Sequence, residues 1–571
     1  MKDGFRQSMA WLHTWSGLLV GWVLFMVFLA GTSAYFRDEI SFWMKPELHA
    51  VARAAATSQP LAASAAVNFL QAKAASSPRW TVDLPSSREP ALRASWAGPP
   101  APRASGAPGA SPPQRRGRQE SATLDPTTGE RMETPRQTRG GDFFYRLHFD
   151  LHYMPARWGR WIVGVCAMFM LVAIVSGVVT HKRIFKDFFT FRPKKGQRSW
   201  LDAHNATAVL ALPYHLMITY TGLVTLMFMY MPWGPEVVYK GDQRTYISEV
   251  FPSSNAAGNA PRSTAPAPLR PVAEMAQAAS RAWDSAPIAR MVVSNPNTAG
   301  ATVTFHRHDT GSLSSIQAAM VFDGATGALL SHFGDDLPAA SQTRGVLYGL
   351  HLGRFSAPLV RWLFFLSGLA GSVMVATGLL LWAVKERQKF AKALAKGGRI
   401  GFGLRLVDGL NITAVAGLPL AMAVFFWANR LIPAGLAGRA DLEIGVFFGA
   451  WALCASAGLA LPTRRMWQLQ IGIAGALLAL VPMLNPLTGG AGLWTSMAPG
   501  LWRVAGFDSS CLMIGAALLV AARTIGVRKP AGARKRVQID AGRSAATHGA
   551  SKETEGLLTS PDSLSAAKVP R

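Results

Sequence analysis

The sequence predicts an α-helical integral membrane protein with about eight transmembrane helices, both termini on the cytoplasmic side, and two small α+β modules on the opposite side. Three observations carry this. Half of the 571 residues are apolar, and they are segregated into long runs between polar, Pro- and Gly-rich stretches. Eight of these runs approach the roughly 20 residues that an α-helix needs to cross the hydrocarbon core. Basic residues crowd every second connection, as they do on the cytoplasmic side of bacterial membrane proteins.

The first span, 11–36, has no small-residue cleavage site after it and is read as a retained helix rather than a signal peptide. Region 37–146 is polar, and its Pro-, Ala-, Gly- and Arg-rich insert at 97–118 has too little apolar surface to order itself. The second span, 158–180, runs into His181, Lys182, Arg183, Lys186, Arg192, Lys194, Lys195 and Arg198, with Asp187 as the one acid. That connection is assigned to the cytoplasm. The third span is 204–230, the second polar region 232–350, and the fourth span 360–384, closed by Lys385, Arg387, Lys389, Lys392 and Lys396. Four further spans fill 407–522, at about 407–427, 442–461, 467–484 and 502–522. Arg464 and Arg465 lie between the sixth and seventh. The basic tail, 523–571, is expected to be cytoplasmic and disordered. Charge and span number agree on this topology.

The net charge of +26 is accounted for by these connections, and no nucleic-acid motif accompanies it. Cys166, Cys454 and Cys511 all lie in apolar runs, which argues against a disulfide or a Cys-based metal site, and no C-x-x-C-H motif attaches a c-type haem.

The two polar regions share a short pattern. Thr123-Leu-Asp-Pro-Thr-Thr-Gly129 and Val321-Phe-Asp-Gly-Ala-Thr-Gly327 each read as a strand entering an Asp-led turn with Gly at a positive-φ position. A helical stretch precedes each, at 62–75 and 271–283. Each region is therefore expected to hold one α+β module.

The chemical signal lies in the histidines. Seven of the twelve stand at helix ends: His13, His148, His152, His181, His204, His215 and His351, with none in the last four spans. The topology puts His13, His181 and His204 at the inner level and His148, His152 and His351 at the outer level. His148 and His152, four apart, share a face if that stretch is helical. His204 and His215, eleven apart, share a face about 16 Å apart on a continuous helix. Two levels of imidazole on facing helices are the arrangement that stacks two b-type haems across a bilayer. Arg157, Arg160, Arg354 and Arg361 are candidates to pair with haem propionates. Small-residue steps at Gly17/Gly21, Gly31, Ser176-Gly177, Thr221-Gly222, Gly368/Gly371 and Thr377-Gly378 allow close helix approach and leave room for a flat macrocycle.

With these motifs in hand, the chain resembles the PepSY-associated transmembrane family, which includes bacterial ferric-siderophore reductases of the inner membrane. The resemblance rests on Arg6…Leu12-His13-Thr-Trp-Ser-Gly17, on Phe144-Tyr-Arg-Leu-His148-Phe-Asp-Leu-His152 with Gly159-Arg-Trp-Ile-Val-Gly164, on Trp200-Leu-Asp-Ala-His204-Asn, and on Leu350-His351-Leu-Gly-Arg. It covers about 1–390, and the polar modules are similar to PepSY domains. It implies a di-haem b bundle passing electrons outward to a ferric-siderophore complex. His13, His148, His204 and His351 become the leading ligands, with His152, His181 and His215 in reserve and the pairing open. No dinucleotide-binding fingerprint occurs, so the electron donor is expected to be a separate cytoplasmic reductase or a quinol. Two other readings exist: a PepSY-type regulator or inhibitor of a cell-envelope peptidase, and an iron or iron-chelate transporter, which would require discontinuous helices.

Overall fold

The computed structural model describes residues 3–53, 58–98, 119–180, 192, 195–252, 263–308, 311–334, 336–391, 395–498 and 500–527. Most of the Pro-rich insert, His181 with most of its basic connection, and the C-terminal tail lie outside the described residues.

In chain order the helices that build the molecule are α1 (Asp3–Ala34), α2 (Arg37–Trp43), α3 (Gln59–Ala74), α4 (Gly140–Asp150), α5 (Ala156–Thr180), α6 (Gln197–Leu210), α7 (Leu212–Thr225), α8 (Val272–Ala282), α9 (Ala339–Leu352) and α10 (Pro358–Lys389). They continue with α11 (Phe402–Leu431), α12 (Arg439–Ala460), α13 (Arg464–Ala479), α14 (Val481–Leu487) and α15 (Trp502–Val527). Among the described residues, six helices are long and apolar enough to cross a membrane: α1, α5, α10, α11, α12 and α15. The bent pairs α6–α7 and α13–α14 bring the number to eight if each is one span. The first helix starts at Asp3, earlier than the apolar run, because its polar first turns continue the same backbone ladder.

The third span departs from expectation. It is two helices meeting at 68°, with Ala211 at φ −109° in the break and Pro213 in the first turn of α7. Proline has no N–H for the ladder and its ring clashes with the preceding turn, so the helix restarts there. His204 and His215 consequently sit on different helices, and the 16 Å spacing along one axis does not apply. The seventh span bends by 41° between α13 and α14, where Pro482 occupies the restart. Within α11, residues Ile412–Gly417 widen to π geometry. There the Trp451 indole donates to the Thr413 carbonyl at 3.0 Å.

The two polar regions do not form separate modules. Strands β1 (Arg79–Asp83), β2 (Leu92–Ala97) and β3 (Gln119–Leu124) of the first join β4 (Ile288–Ser294), β5 (Thr302–Arg307), β6 (Ala319–Asp323) and β7 (Leu329–Phe333) of the second. They make one antiparallel sheet of order β3-β2-β1-β4-β5-β6-β7. The halves meet at β1 and β4, with Trp80 opposite Val293 and Val82 opposite Met291. A three-stranded sheet with one helix leaves an edge to be covered, and each half covers the other's. Alternation decides the faces. Trp80, Val82, Leu92, Ala94, Met291, Val293, Val303 and Phe305 are buried under α3 and α8. Ala62, Ala66, Ala276 and Ala279 give these two helices small facing surfaces. Both Asp-led turns form. Asp125 Oδ1 accepts from the N–H groups of Thr127 and Thr128, and Asp323 Oδ1 from those of Ala325 and Thr326. Gly129 and Gly327 take φ of +74° and +80°. After the first turn only a bridge, Leu124 to Arg131, continues the hairpin.

The C-terminal helices hold the sheet end of the bundle through a buried polar network. Arg439 and Glu443, one turn apart on α12, are fully buried and ion-paired. Glu443 also accepts from Asn429 Nδ2 at 2.8 Å and Thr138 Oγ1 at 2.5 Å, while Arg439 donates to the Gln137 carbonyl at 2.9 Å. Trp43 on α2 donates to Asp508 on α15 at 2.7 Å. The strap 136–139 that feeds α4 is thereby fixed to α11 and α12. Removing one partner of a buried ion pair leaves an uncompensated charge, a cost of about 3–5 kcal/mol. Glu443→Ala is therefore expected to melt well below wild type in detergent. The double replacement Arg439→Met/Glu443→Leu should recover most of the loss. A Glu443→Ala protein melting with wild type would show that the pair carries no stability.

Candidate functional site

The structure brings four of the seven helix-end histidines together in two pairs. At the sheet end His148 on α4 faces His351 on α9, with ring centroids 6.1 Å apart. At the far end His13 on α1 faces His204 on α6, also at 6.1 Å. Eighteen residues of α1 separate His13 from Gly31, which lies against His148, on the order of 27 Å at 1.5 Å per residue.

Three of the four rings are seated the same way, and the fourth differs in what its Nδ1 meets. His13 Nδ1 donates to the Ala173 carbonyl at 2.8 Å, and a Cβ on Gly177, four residues on, would lie 3.1 Å from its ring. His148 Nδ1 donates to the Val27 carbonyl at 2.7 Å, and a Cβ on Gly31 would lie 2.6 Å from that nitrogen. His204 Nδ1 donates to the Met374 carbonyl at 2.8 Å, with Gly378 opposite at 3.2 Å. His351 Nδ1 lies 3.2 Å from Thr221 Oγ1, with Gly222 opposite at 2.9 Å. For His13, His148 and His204 the acceptor carbonyl is four residues before the glycine on the facing helix. The missing side chain lets the imidazole lie flat on that helix and reach the carbonyl. Donation from Nδ1 selects the tautomer whose lone pair is on Nε2, as metal-ligating histidines require.

At the sheet-end pair, outside the spans, burial lowers the affinity of His148 for a proton. Burial, with His148 as a second cause, pushes His351 down to about 3. Both rings are therefore neutral near pH 7, the form a metal accepts. A cavity of about 470 Å³ opens beside them, reaching from Met170 and Leu24 in the bundle to Ala289 and Gln317 in the sheet region. Arg160 and Arg354 line it, and so do Arg37, Arg88, Tyr145 and Tyr348, which the sequence had not singled out.

The remaining expectations are met differently. α4 ends at Asp150, and Leu151, His152 and Tyr153 all take positive φ, between +46° and +58°. His152 consequently leaves the face that carries His148 and stacks on Phe448 of α12 at 5.5 Å. His215 is buried between the pairs, its Nε2 donating to the Ser367 carbonyl at 3.3 Å and its ring edge-on to Phe28. Arg157 is exposed. Arg361 does not line the cavity; it pairs with Glu39 at 3.1 Å. His308 also lines the cavity.

The donor set can be tested against haem. With metal–imidazole bonds of about 2 Å and about 1 Å from nitrogen to ring centre, two imidazoles on one iron have centroids about 6 Å apart. Both pairs match. A porphyrin brings its own four nitrogens and asks the protein for two axial ligands, so pairs suffice. Among the described residues no three His, Cys, Asp or Glu side chains converge as a bare-ion site.

The family model described as the PepSY-associated TM region matches residues 10–385. No curated protein matches the chain.

Proposed function

The chain belongs to the PepSY-associated transmembrane family, and from that premise we propose that it is a di-haem b electron carrier that reduces ferric-siderophore or other ferric complexes on the periplasmic side of a bacterial inner membrane. The observation that carries the reading is a repeated seat: three imidazoles have Nδ1 on a carbonyl and a glycine four residues later, the fourth, His351, meets Thr221 Oγ1 beside Gly222, and each has a second imidazole 6.1 Å away. Bound haem would supply a one-electron carrier at each level.

The chain's residues do the rest. His13 with His204, and His148 with His351, would each hold one haem iron. The backbone carbonyls behind them orient the rings and raise their basicity. Arg160 and Arg354 reach the sheet-end cavity as guanidinium partners for propionates or for an anionic ferric complex. Arg160 is held by Asp150 at 2.8 Å, which fixes its direction. The apolar walls of α1, α5 and α10 exclude water between the two levels and lower the reorganisation that accompanies electron transfer. Reduction frees the metal because Fe(II) binds hard oxygen chelators more weakly than Fe(III). The basic connections at the far end support an inner-membrane setting with the sheet outward.

The test is the visible spectrum of detergent-purified protein, oxidised and dithionite-reduced, with pyridine haemochrome quantification. About two b haems per chain are expected. Colourless protein from haem-replete cells would overturn the reading and leave the peptidase-regulator alternative in front. The break between α6 and α7 favours the transport alternative, since discontinuous helices mark transporter sites. Counterflow of radiolabelled ferric chelate into proteoliposomes without any reductant would support that alternative.

A further inference from the structure

A second cavity runs between the family bundle and the C-terminal helices. It is a groove of about 1260 Å³ walled by α1 and α10 on one side and α11, α13 and α15 on the other. Its middle is apolar, lined among others by Phe25, Leu369, Val373 and Phe426. Two features at its far half are not those of a simple lipid seam. Thr377 lines the groove, and its Oγ1 lies 3.5 Å from His204 Nδ1, so the groove touches the far histidine pair. Asp408, a buried carboxylate on α11, also lines it and is held by Arg387 of α10. Trp200, one turn before His204 on α6, completes that end.

We propose that this groove binds an isoprenoid quinol as electron donor, with the ring between Thr377 and Asp408 and the tail along the apolar middle. The inference rests on the di-haem reading and names its donor. An apolar channel of membrane depth fits a polyprenyl chain. The head end holds Asp408, a carboxylate that can accept a hydrogen bond and then a proton, in the same groove that Thr377 joins to His204, with Arg387 and Arg464 lining that end as well. Oxidation breaks both O–H bonds of the quinol. Its two electrons leave one at a time toward the His13–His204 site, and two ferric complexes, each reduced from Fe(III) to Fe(II) by one electron, are the final oxidants. Its two protons leave in succession through Asp408 to the aqueous end, where the Arg387 side chain is half exposed. This gives the C-terminal helices a function, because Asp408 and one wall of the groove belong to them.

The experiment uses full-length protein with two readouts. Quinone co-extracted with organic solvent is quantified per chain, and anaerobic reduction by decylubiquinol is followed at the haem α-band. Wild type is expected to carry quinone and to be reduced by decylubiquinol. Val373→Trp, whose side chain enters the groove, should lose at least about tenfold of the co-extracted quinone. Asp408→Asn should slow decylubiquinol reduction at least about tenfold while the dithionite spectrum is unchanged. Extraction of phospholipid alone, or dithionite-reducible protein that decylubiquinol does not reduce, would overturn the proposal. Protein with no α-band under dithionite would instead refute the haem reading, and the extracted quinone would still decide whether the groove binds it.

Discussion

His204→Ala is expected to purify with about one haem per chain instead of about two, retaining the sheet-end centre. His13→Ala should give the same result, because the two imidazoles face each other at 6.1 Å and an axial pair is lost with either member. His148→Ala and His351→Ala should remove the other centre, and His13→Ala/His351→Ala both. The pairs share no residue and are separated by most of the length of α1, so their losses should add. Pyridine haemochrome quantification reads the outcome. Substitution of His152 or His215, by contrast, should leave two haems, since one stacks on Phe448 and the other bonds Ser367. Equal loss from all six variants would mean that haem content follows fold integrity, and the pairing would be refuted.

Gly31→Ala is expected to remove the sheet-end haem while all four histidines remain. A Cβ there would stand 2.6 Å from His148 Nδ1, closer than any real contact, and the ring cannot retreat because its nitrogen is tied to the carbonyl one turn back on the same helix. Gly222→Ala, at 2.9 Å from His351, should act in the same direction more weakly. Gly177→Ala and Gly378→Ala, at 3.1 and 3.2 Å, call for a shift of a few tenths of an ångström. They should keep the far haem with an altered midpoint potential, because ring orientation and second-shell bonding tune it. Alanine is otherwise a better helix former than glycine by about 1 kcal/mol, so generic destabilisation would not produce this order. Redox titration at the two α-bands measures it. Four variants with wild-type haem content and potentials would show that the glycines serve helix packing alone.

Much of the site was legible along the chain. His13, His148, His204 and His351 stand out by position, and Gly31, Gly177, Gly222 and Gly378 were visible as small-residue steps. Three of those glycines follow Ser or Thr, and Thr221 and Thr377 reach the rings of His351 and His204. A Ser/Thr-Gly step on one span matched to a helix-end histidine on another was therefore the available signal for the pairing. Arg88 gave no such signal: it enters the cavity mouth because its loop folds back to Asp38 and Glu39, 49 or 50 residues earlier in the chain. The fate of His152 was equally out of reach, since it depends on three consecutive left-handed residues that end α4 two positions before it.

The sequence by itself determined which segments are apolar enough to span a bilayer, where the Asp-led turns fall and which histidines stand at helix ends. These are properties of composition and of short-range geometry: a run of apolar side chains, an Asp bonding its own turn, a glycine permitting positive φ. Only the tertiary structure decided that both polar regions share one sheet, that His13 meets His204 and His148 meets His351, and that the C-terminal helices clamp the strap into α4. Each of these depends on which surfaces are left unpaired once local structure has formed. An open strand edge, an unbonded carbonyl beside a glycine and a buried charge without a partner are satisfied only by groups distant in the chain, and local pattern does not say which group arrives.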